Sequence, residues 1–257
     1  MRRIVLMSAA LALTATAAFA GELTGREVME AVHDRPIAED MHATVTMTLT
    51  DRRGSQRVRE IEQYTLDTAE GERRLLFFTA PADVRDTSFM TWSYDDGRSD
   101  DQWIYLPALR RIRRISAEAR HDSFMGSDFT YDDISGRHPD DDRHELLRRE
   151  THRGENTYVV ESVPRDGSAP FDRTLTWVID GEWIGIRREY YDDRDRLYKV
   201  LEVEEYEQID GVWVIPRMTM TDKQRDHSTT MEMREIELNV GLSENIFSER
   251  TMQRGVR

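Results

Sequence analysis

Residues 174–186 read TLTWVIDGEWIGI and residues 203–216 read VEEYEQIDGVWVIP, and these two stretches decide the fold. In each of them an Asp-Gly pair, Asp180-Gly181 or Asp210-Gly211, separates two apolar runs. Because Asp-Gly readily takes the positive φ angles of a tight turn, each stretch predicts a β-hairpin. With a further turn at 192–195, the second half predicts an up-and-down meander of about five strands over residues 173–240.

The first half of the chain has the period of a half-buried strand. Val45, Met47 and Leu49 alternate with threonines, and Asp51 to Gly54 offers a turn after them. Further strands are predicted at 56–66, 72–79, 87–94, 101–106 and 110–116.

Few segments predict helices. Thr24 and Glu27 have the spacing of a capping box before a helix that ends near Arg35. Residues 124–134 do not alternate and predict a short helix or lid, whereas the polar, charge-dense residues 136–156 predict an exposed connection.

Many successive antiparallel strands with so few helices must twist and curl, which predicts a mainly β fold, either a closed barrel or an incomplete one with a concave face.

The N-terminus has the pattern of a secretory signal. Arg2 and Arg3 precede an apolar run, and Ala18-Phe19-Ala20 ends it. We therefore expect residues 1–20 to be a cleaved signal peptide and residues 21–257 to be a single β domain, soluble in the periplasm. The chain has no cysteine, which excludes acylation at the cleavage point, disulfides and thiolate catalysis.

Composition and motifs exclude several functions. A formal net charge of −14 argues against nucleic acid as a partner, since phosphate binding needs a positive face. Nucleophile-elbow, P-loop and dinucleotide patterns are absent, which removes only the easily recognised enzyme classes. We expect the chain not to be an enzyme and to have no catalytic residue, with an envelope hydrolase as the weakest alternative. The densest His and Asp cluster, residues 138–145, matches no metal-ligand spacing and favours a solvated loop over a metal site.

The most distinctive segment is residues 101–115, DQWIYLPALRRIRRI. Strand alternation places Trp103 and Tyr105 on one face and Ile104 and Leu106 on the other, so both faces are apolar and both need cover. The aromatic residues either fill the core or line a cavity. The arginines that follow, Arg110, Arg111, Arg113 and Arg114, either pair with nearby acids or form a site for a lipid phosphate, a carboxylate or an acidic partner.

Three ordered motifs carry a family resemblance. FFTAPADVRDTSFM at 77–90, the segment 101–115 and GSDFTYDD at 126–133 resemble the outer-membrane lipoprotein-sorting protein family of LolA-like periplasmic proteins, often linked to export pumps of the resistance-nodulation-division type. Asp86 stands where that family has glycine. The resemblance implies a single strongly curved antiparallel sheet that forms an incomplete, half-open barrel covered by a few short helices. It also implies that the apolar cavity of this barrel accepts acyl chains without a cofactor.

Two hypotheses of different class follow. The first is a carrier or chaperone for a lipid or acylated lipoprotein, a monomer, with cavity candidates Trp92, Trp103, Tyr105, Phe124, Phe129 and Trp213. The second is an accessory or sensor module that docks on an inner-membrane transporter of the resistance-nodulation-division type, or on a signalling protein, through the four arginines between Arg110 and Arg114.

Overall fold

The computed structural model describes residues 23–165 and 169–256, so the expected signal peptide lies outside the described residues. Three α-helices are present in this part of the chain: α1 (Gly25–His33), α2 (Tyr131–Ser135) and α3 (Glu249–Arg254). The strands are β1 (Asp40–Thr50), β2 (Gln56–Thr68), β3 (Gly71–Ala80), β4 (Ser88–Trp92), β5 (Asp101–Leu106), β6 (Arg111–Arg114), β7 (Asp142–His152), β8 (Glu155–Pro164), β9 (Arg173–Ile179), β10 (Gly185–Tyr191), β11 (Leu197–Ile209), β12 (Val212–Asp222) and β13 (His227–Leu238).

All thirteen strands form one antiparallel sheet in the order β6-β5-β4-β3-β2-β1-β13-β12-β11-β10-β9-β8-β7. Each half of the chain is therefore an uninterrupted meander, and the β1–β13 ladder joins the two. The edge strands β6 and β7 do not pair with each other, so the sheet is not closed into a barrel. The predicted mainly β, half-open architecture and the five-strand meander over 173–240 are confirmed.

The sheet curls around one apolar cluster. Val45 and Met47 of β1 pack with Phe89 of β4 and Ile104 of β5, while Tyr190 of β10 joins the same cluster from the other half. Strands this far apart in the ladder reach one cluster only because the sheet bends, which makes this face concave.

The opposite, convex face is also covered where β3, β4 and β5 lie. Leu75, Met90 and Trp103 pack there against Phe247 and Met252 of the C-terminal segment. That segment starts at the buried carboxylate of Asp40, which accepts the backbone N–H groups of residues 240–242 at 2.7–2.9 Å. Both faces of β5 are thus apolar and covered, as its sequence predicts.

One predicted element is wrong. Residues 136–156 are not an exposed connection, because 142–152 form β7 and residue 155 starts β8. Strand β7 is an edge strand with mostly exposed side chains, so its sequence shows charge on both faces and no apolar alternation.

Helix α1 has the predicted capping box, since Thr24 Oγ1 accepts from Glu27 N at 3.2 Å and the Glu27 carboxylate accepts from Thr24 N at 2.7 Å. Val28 and Met29 pack on Tyr158 and Val160 of β8. The turn before β4 has the conformation expected where the resembling family has glycine. Asp86, at that position, has φ of +65°, in the left-handed region that favours glycine.

Gly25 brings α1 into direct contact with β7. A Cβ atom on Gly25 would lie 2.5 Å from the carbonyl carbon of Glu145 and 2.6 Å from the nitrogen of Leu146, which is backbone that cannot move aside. We expect Gly25→Ala to lower the free energy of unfolding by on the order of 2 kcal/mol or more, measured by urea denaturation. Gly185→Ala in β10 is the control, because Gly185 is not in the left-handed region and a Cβ there would meet only the Thr176 Cγ2 at 3.4 Å, an ordinary contact. Equal losses in both variants would contradict the close approach.

Candidate functional site

The concave face holds a segment that we call the plug, residues 122–136. It contains a turn of 3-10 helix at Phe124–Gly126 and helix α2, which starts at a capping box between Thr130 and Asp133. Phe124 and Phe129 are fully buried in the concave cluster. The predicted short helix is therefore present, packed into the hollow.

The best-connected group in the plug is the carboxylate of Asp133. It accepts from Lys199 Nζ at 3.2 Å and from the Tyr190 hydroxyl at 3.1 Å, in addition to the Thr130 cap. Burial acts to raise the pKa of Asp133, but the Lys199 ammonium and the Thr130 hydrogen bonds outweigh it and hold that pKa below its usual range. Burial raises the pKa of Tyr190 well above its ordinary value, so the phenol stays a neutral donor.

Further polar side chains hold the plug from both halves of the sheet. Asp128 accepts from Thr229 Oγ1 at 2.7 Å and contacts His227 Nδ1 at 2.6 Å, both on β13. Gln102 of β5 donates to Ser135 Oγ at 2.5 Å. Arg59 of β2 donates to the carbonyl of Met125, and Arg74 of β3 donates to that of Ile134.

Beside the plug lies an apolar chamber of about 270 Å³. Its wall is mainly aliphatic and rich in methionine, including Met41, Val45, Ile61, Met218, Met231 and Met233. Methionine side chains are flexible and polarizable, so this wall can adapt to apolar groups of varied shape.

A second, polar chamber of about 400 Å³ adjoins it, and both are lined by Arg35, Ile37, Arg74, Asp133 and Met218. The polar chamber is lined by five side chains that are cationic at neutral pH, Arg35, Arg74, Arg137, Arg188 and Lys199, against three carboxylates, Asp132, Asp133 and Asp142. It also contains four histidines, of which His144 has its pKa lowered by burial. A chamber with this excess of positive charge is notable in a chain with a net charge of −14.

The six aromatic candidates divide between three places. Phe124 and Trp213 line the apolar chamber and Phe129 lines the polar one. Trp92, Trp103 and Tyr105 instead pack in the convex cluster beneath the C-terminal segment. Strand alternation assigns side chains to the two faces of the sheet correctly, but it does not say which face is concave. Trp92, Trp103 and Tyr105 were expected in the cavity and instead lie on the convex face.

The four candidate arginines lie at the β6 edge, and all are exposed. They do not form one cluster: Arg111 and Arg113 are opposite Leu106 and Ile104, on the concave side, whereas Arg114 is opposite Trp103, on the convex side. Arg114 forms an ion pair with Asp101 of β5, a nearby acid of the kind that the sequence offered as a partner. Arg110 lies in the preceding turn with φ of +48°.

The His and Asp side chains of the cluster at 138–145 form ion pairs and hydrogen bonds with neighbouring residues. Asp140 pairs with Arg26 at 2.7 Å and Asp142 with Arg137 at 2.7 Å, while His144 contacts Ser162 Oγ and the carbonyl of Pro139. Within the part of the chain that the structure describes, no group of three or more His, Asp or Glu side chains is arranged to hold a metal ion. No helix in residues 23–165 and 169–256 has the length and apolar character needed to cross a bilayer.

Sequence reasoning missed the residues that line both chambers. The sequence predicts Arg35 only as the end of a helix. It predicts Met218 only as part of a strand. The excess of methionine in β1, β12 and β13 was the available signal, because Met41, Met218, Met231 and Met233 share one face of neighbouring strands.

Known structures and a family model resemble this chain over most of its length. A family model whose description reads "Uncharacterized protein" matches residues 70–254. A domain from Vibrio parahaemolyticus described as an outer membrane lipoprotein-sorting protein is 30% identical with a TM-score of 0.84, covering 90% of this chain and 98% of its own. The chain therefore belongs to the outer-membrane lipoprotein-sorting protein family.

Two further structures agree. A DUF1329 family protein from Desulfovibrio piger is 29% identical with a TM-score of 0.83, covering 89% of this chain and 98% of its own. A LolA superfamily protein from Nitrosomonas europaea is 20% identical with a TM-score of 0.67, covering 89% and 99%, and shows the shared fold. No curated protein matches the sequence.

The Asp133–Lys199 pair should dominate the attachment of the plug. We expect Asp133→Ala to destabilise the protein by about 3–5 kcal/mol, because it leaves the Lys199 ammonium buried without its partner. Lys199→Met should cost a similar amount, and the double variant Asp133→Ala/Lys199→Met should cost less than the sum of the two single variants, as measured by urea denaturation.

The exposed pair Arg26–Asp140 is the control for this cycle, since removing both side chains should change stability little. Strictly additive losses at Asp133 and Lys199 would show that the two side chains act independently and would contradict the coupling.

Proposed function

We propose that the protein is a periplasmic carrier that holds the acyl chain of a lipid or an acylated lipoprotein in the apolar chamber. The observation that supports this most directly is that chamber, about 270 Å³ inside the concave sheet of a lipoprotein-sorting family member. An acyl chain that leaves a membrane must stay out of water, at about 0.8 kcal/mol per CH₂ group. A preformed apolar hollow with a methionine-rich wall satisfies that requirement without any catalytic group.

The test is native mass spectrometry with lipid extraction, on protein purified from the periplasm without detergent. We expect near-stoichiometric lipid on the wild-type protein. Met231→Asp should lose most of that lipid, because an unpaired carboxylate costs several kcal/mol in the apolar wall. Met233→Trp should lose it as well, because the larger side chain fills the chamber.

The control is Leu109→Asp, which makes the apolar-to-acid change at a side chain that is 63% exposed. It should retain lipid as the wild type does. A lipid-free wild-type protein that also fails to take up added lipid would overturn the carrier proposal.

A second candidate function is an accessory module that docks on an inner-membrane transporter of the resistance-nodulation-division type. It is favoured by the exposure of Arg110, Arg111 and Arg113, which make no ion pair within the described residues. On this proposal, replacing all four arginines from Arg110 to Arg114 with Gln abolishes co-purification with the transporter and leaves lipid content unchanged. Loss of lipid with the transporter complex intact would contradict it.

A further inference from the structure

The charges of the polar chamber do not balance within the chamber itself. Two of its three carboxylates pair with cations, Asp133 with Lys199 at 3.2 Å and Asp142 with Arg137 at 2.7 Å. The third, Asp132, lies 3.2 Å from the ring of His121, which is charged only when protonated, and burial raises the pKa of Asp132. Arg74 pairs at 2.7 Å with Glu72, which lies in the apolar chamber wall. This accounting leaves two guanidinium groups, Arg35 and Arg188, that make no ion pair among the described residues.

Both leftover arginines are partly buried. Burial lowers the pKa of Arg35, and no carboxylate acts in the opposite direction. Arg188 donates through Nε to the Thr176 hydroxyl at 3.1 Å and also hydrogen-bonds the Tyr190 hydroxyl, and both of these partners are neutral. A half-buried guanidinium without an anion loses solvation and gains no charge compensation, so two of them in one chamber point to an anionic occupant.

The position of Arg35 indicates what kind of anion would bind. Arg35 lines both chambers, as does Ile37, which is 51% exposed and so lies at the opening. An anion bound in the polar chamber therefore sits beside the apolar wall, which is the arrangement of an amphiphile with a charged head and an apolar chain.

We infer that Arg35 and Arg188 form a headgroup subsite for the phosphate or carboxylate of an anionic amphiphile whose chain occupies the apolar chamber. This inference rests on the proposed carrier function and adds the charge class of the cargo. Guanidinium groups suit the role because they present paired donors to phosphate and carboxylate oxygens and remain charged when partly buried. The net charge of −14 also repels anions from the rest of the surface, which favours the chamber as their binding place.

The test is calorimetric titration with two probes that share a chain, dodecyl phosphate and dodecyl dimethylamine oxide, both below their micelle concentrations. The wild type should bind dodecyl phosphate about tenfold more tightly than the uncharged amine oxide. Arg35→Gln/Arg188→Gln should lose that advantage and keep its affinity for the amine oxide within about twofold.

The matched control is Arg52→Gln/Arg250→Gln, which removes the same charge from two exposed positions and should leave both affinities unchanged. Arg35→Gln alone is the second variant, because Arg35 makes no described side-chain hydrogen bond and its loss should not disturb folding. In the unmodified protein, raising the salt concentration should weaken dodecyl phosphate binding and spare amine oxide binding.

The outcomes separate the two proposals. Equal affinity for both probes, unaffected by the arginine variants, overturns the headgroup subsite and leaves the carrier intact. Inorganic phosphate binding as tightly as dodecyl phosphate also overturns it, since the site would then take a free anion. If the wild type binds neither amphiphile, the carrier function itself fails.

Discussion

The buried attachment of the plug to the concave sheet is the constraint on which the rest of the structure depends. An open sheet of thirteen strands has one hydrogen-bonded ladder, β1–β13, between its two meanders. The plug supplies a second connection, because Arg74 and Gln102 hold it from the first meander while Tyr190, Lys199 and Thr229 hold it from the second. These contacts fix how far apart the two halves lie, and so they fix the width of the hollow between them.

The same attachment divides the hollow into two environments. Asp133 borders both chambers, and its pairing with Lys199 neutralises the polar one locally without removing its positive excess. The apolar chamber beside the plug is lined mainly by aliphatic side chains and methionine. Small closed barrels pack their interior with side chains, whereas larger or open sheets enclose space, and here the inserted plug fills only part of that space.

Local signals predicted the fold well, because Asp-Gly turns, Thr and apolar alternation and the Thr24 capping box act within a few residues. Two things could not be predicted in this way. Alternation places Trp103 and Ile104 on opposite faces of β5, but it does not say what covers each face. The Trp103 face is covered by the C-terminal segment, more than 120 positions away in the chain, and the Ile104 face by the concave cluster. Arg35 and Arg188 stand out only by the absence of a carboxylate partner, which is a property of the folded chamber and leaves no mark in the sequence around either residue.

On the carrier proposal, the attachment of the plug also bears on where a cargo would enter. A lid must open at a small free-energy cost. The plug buries Phe124 and Phe129 and holds a buried ion pair. Opening the plug would therefore expose an apolar cluster and separate Asp133 from Lys199. The segment between α1 and β1 lacks such contacts: Pro36 and Ile37 are exposed, and Ile37 borders both chambers. Arg35 lies on that same short segment and also borders both chambers. The residue that we assign to the headgroup therefore lies where the two chambers meet, on a segment that the plug's contacts do not hold.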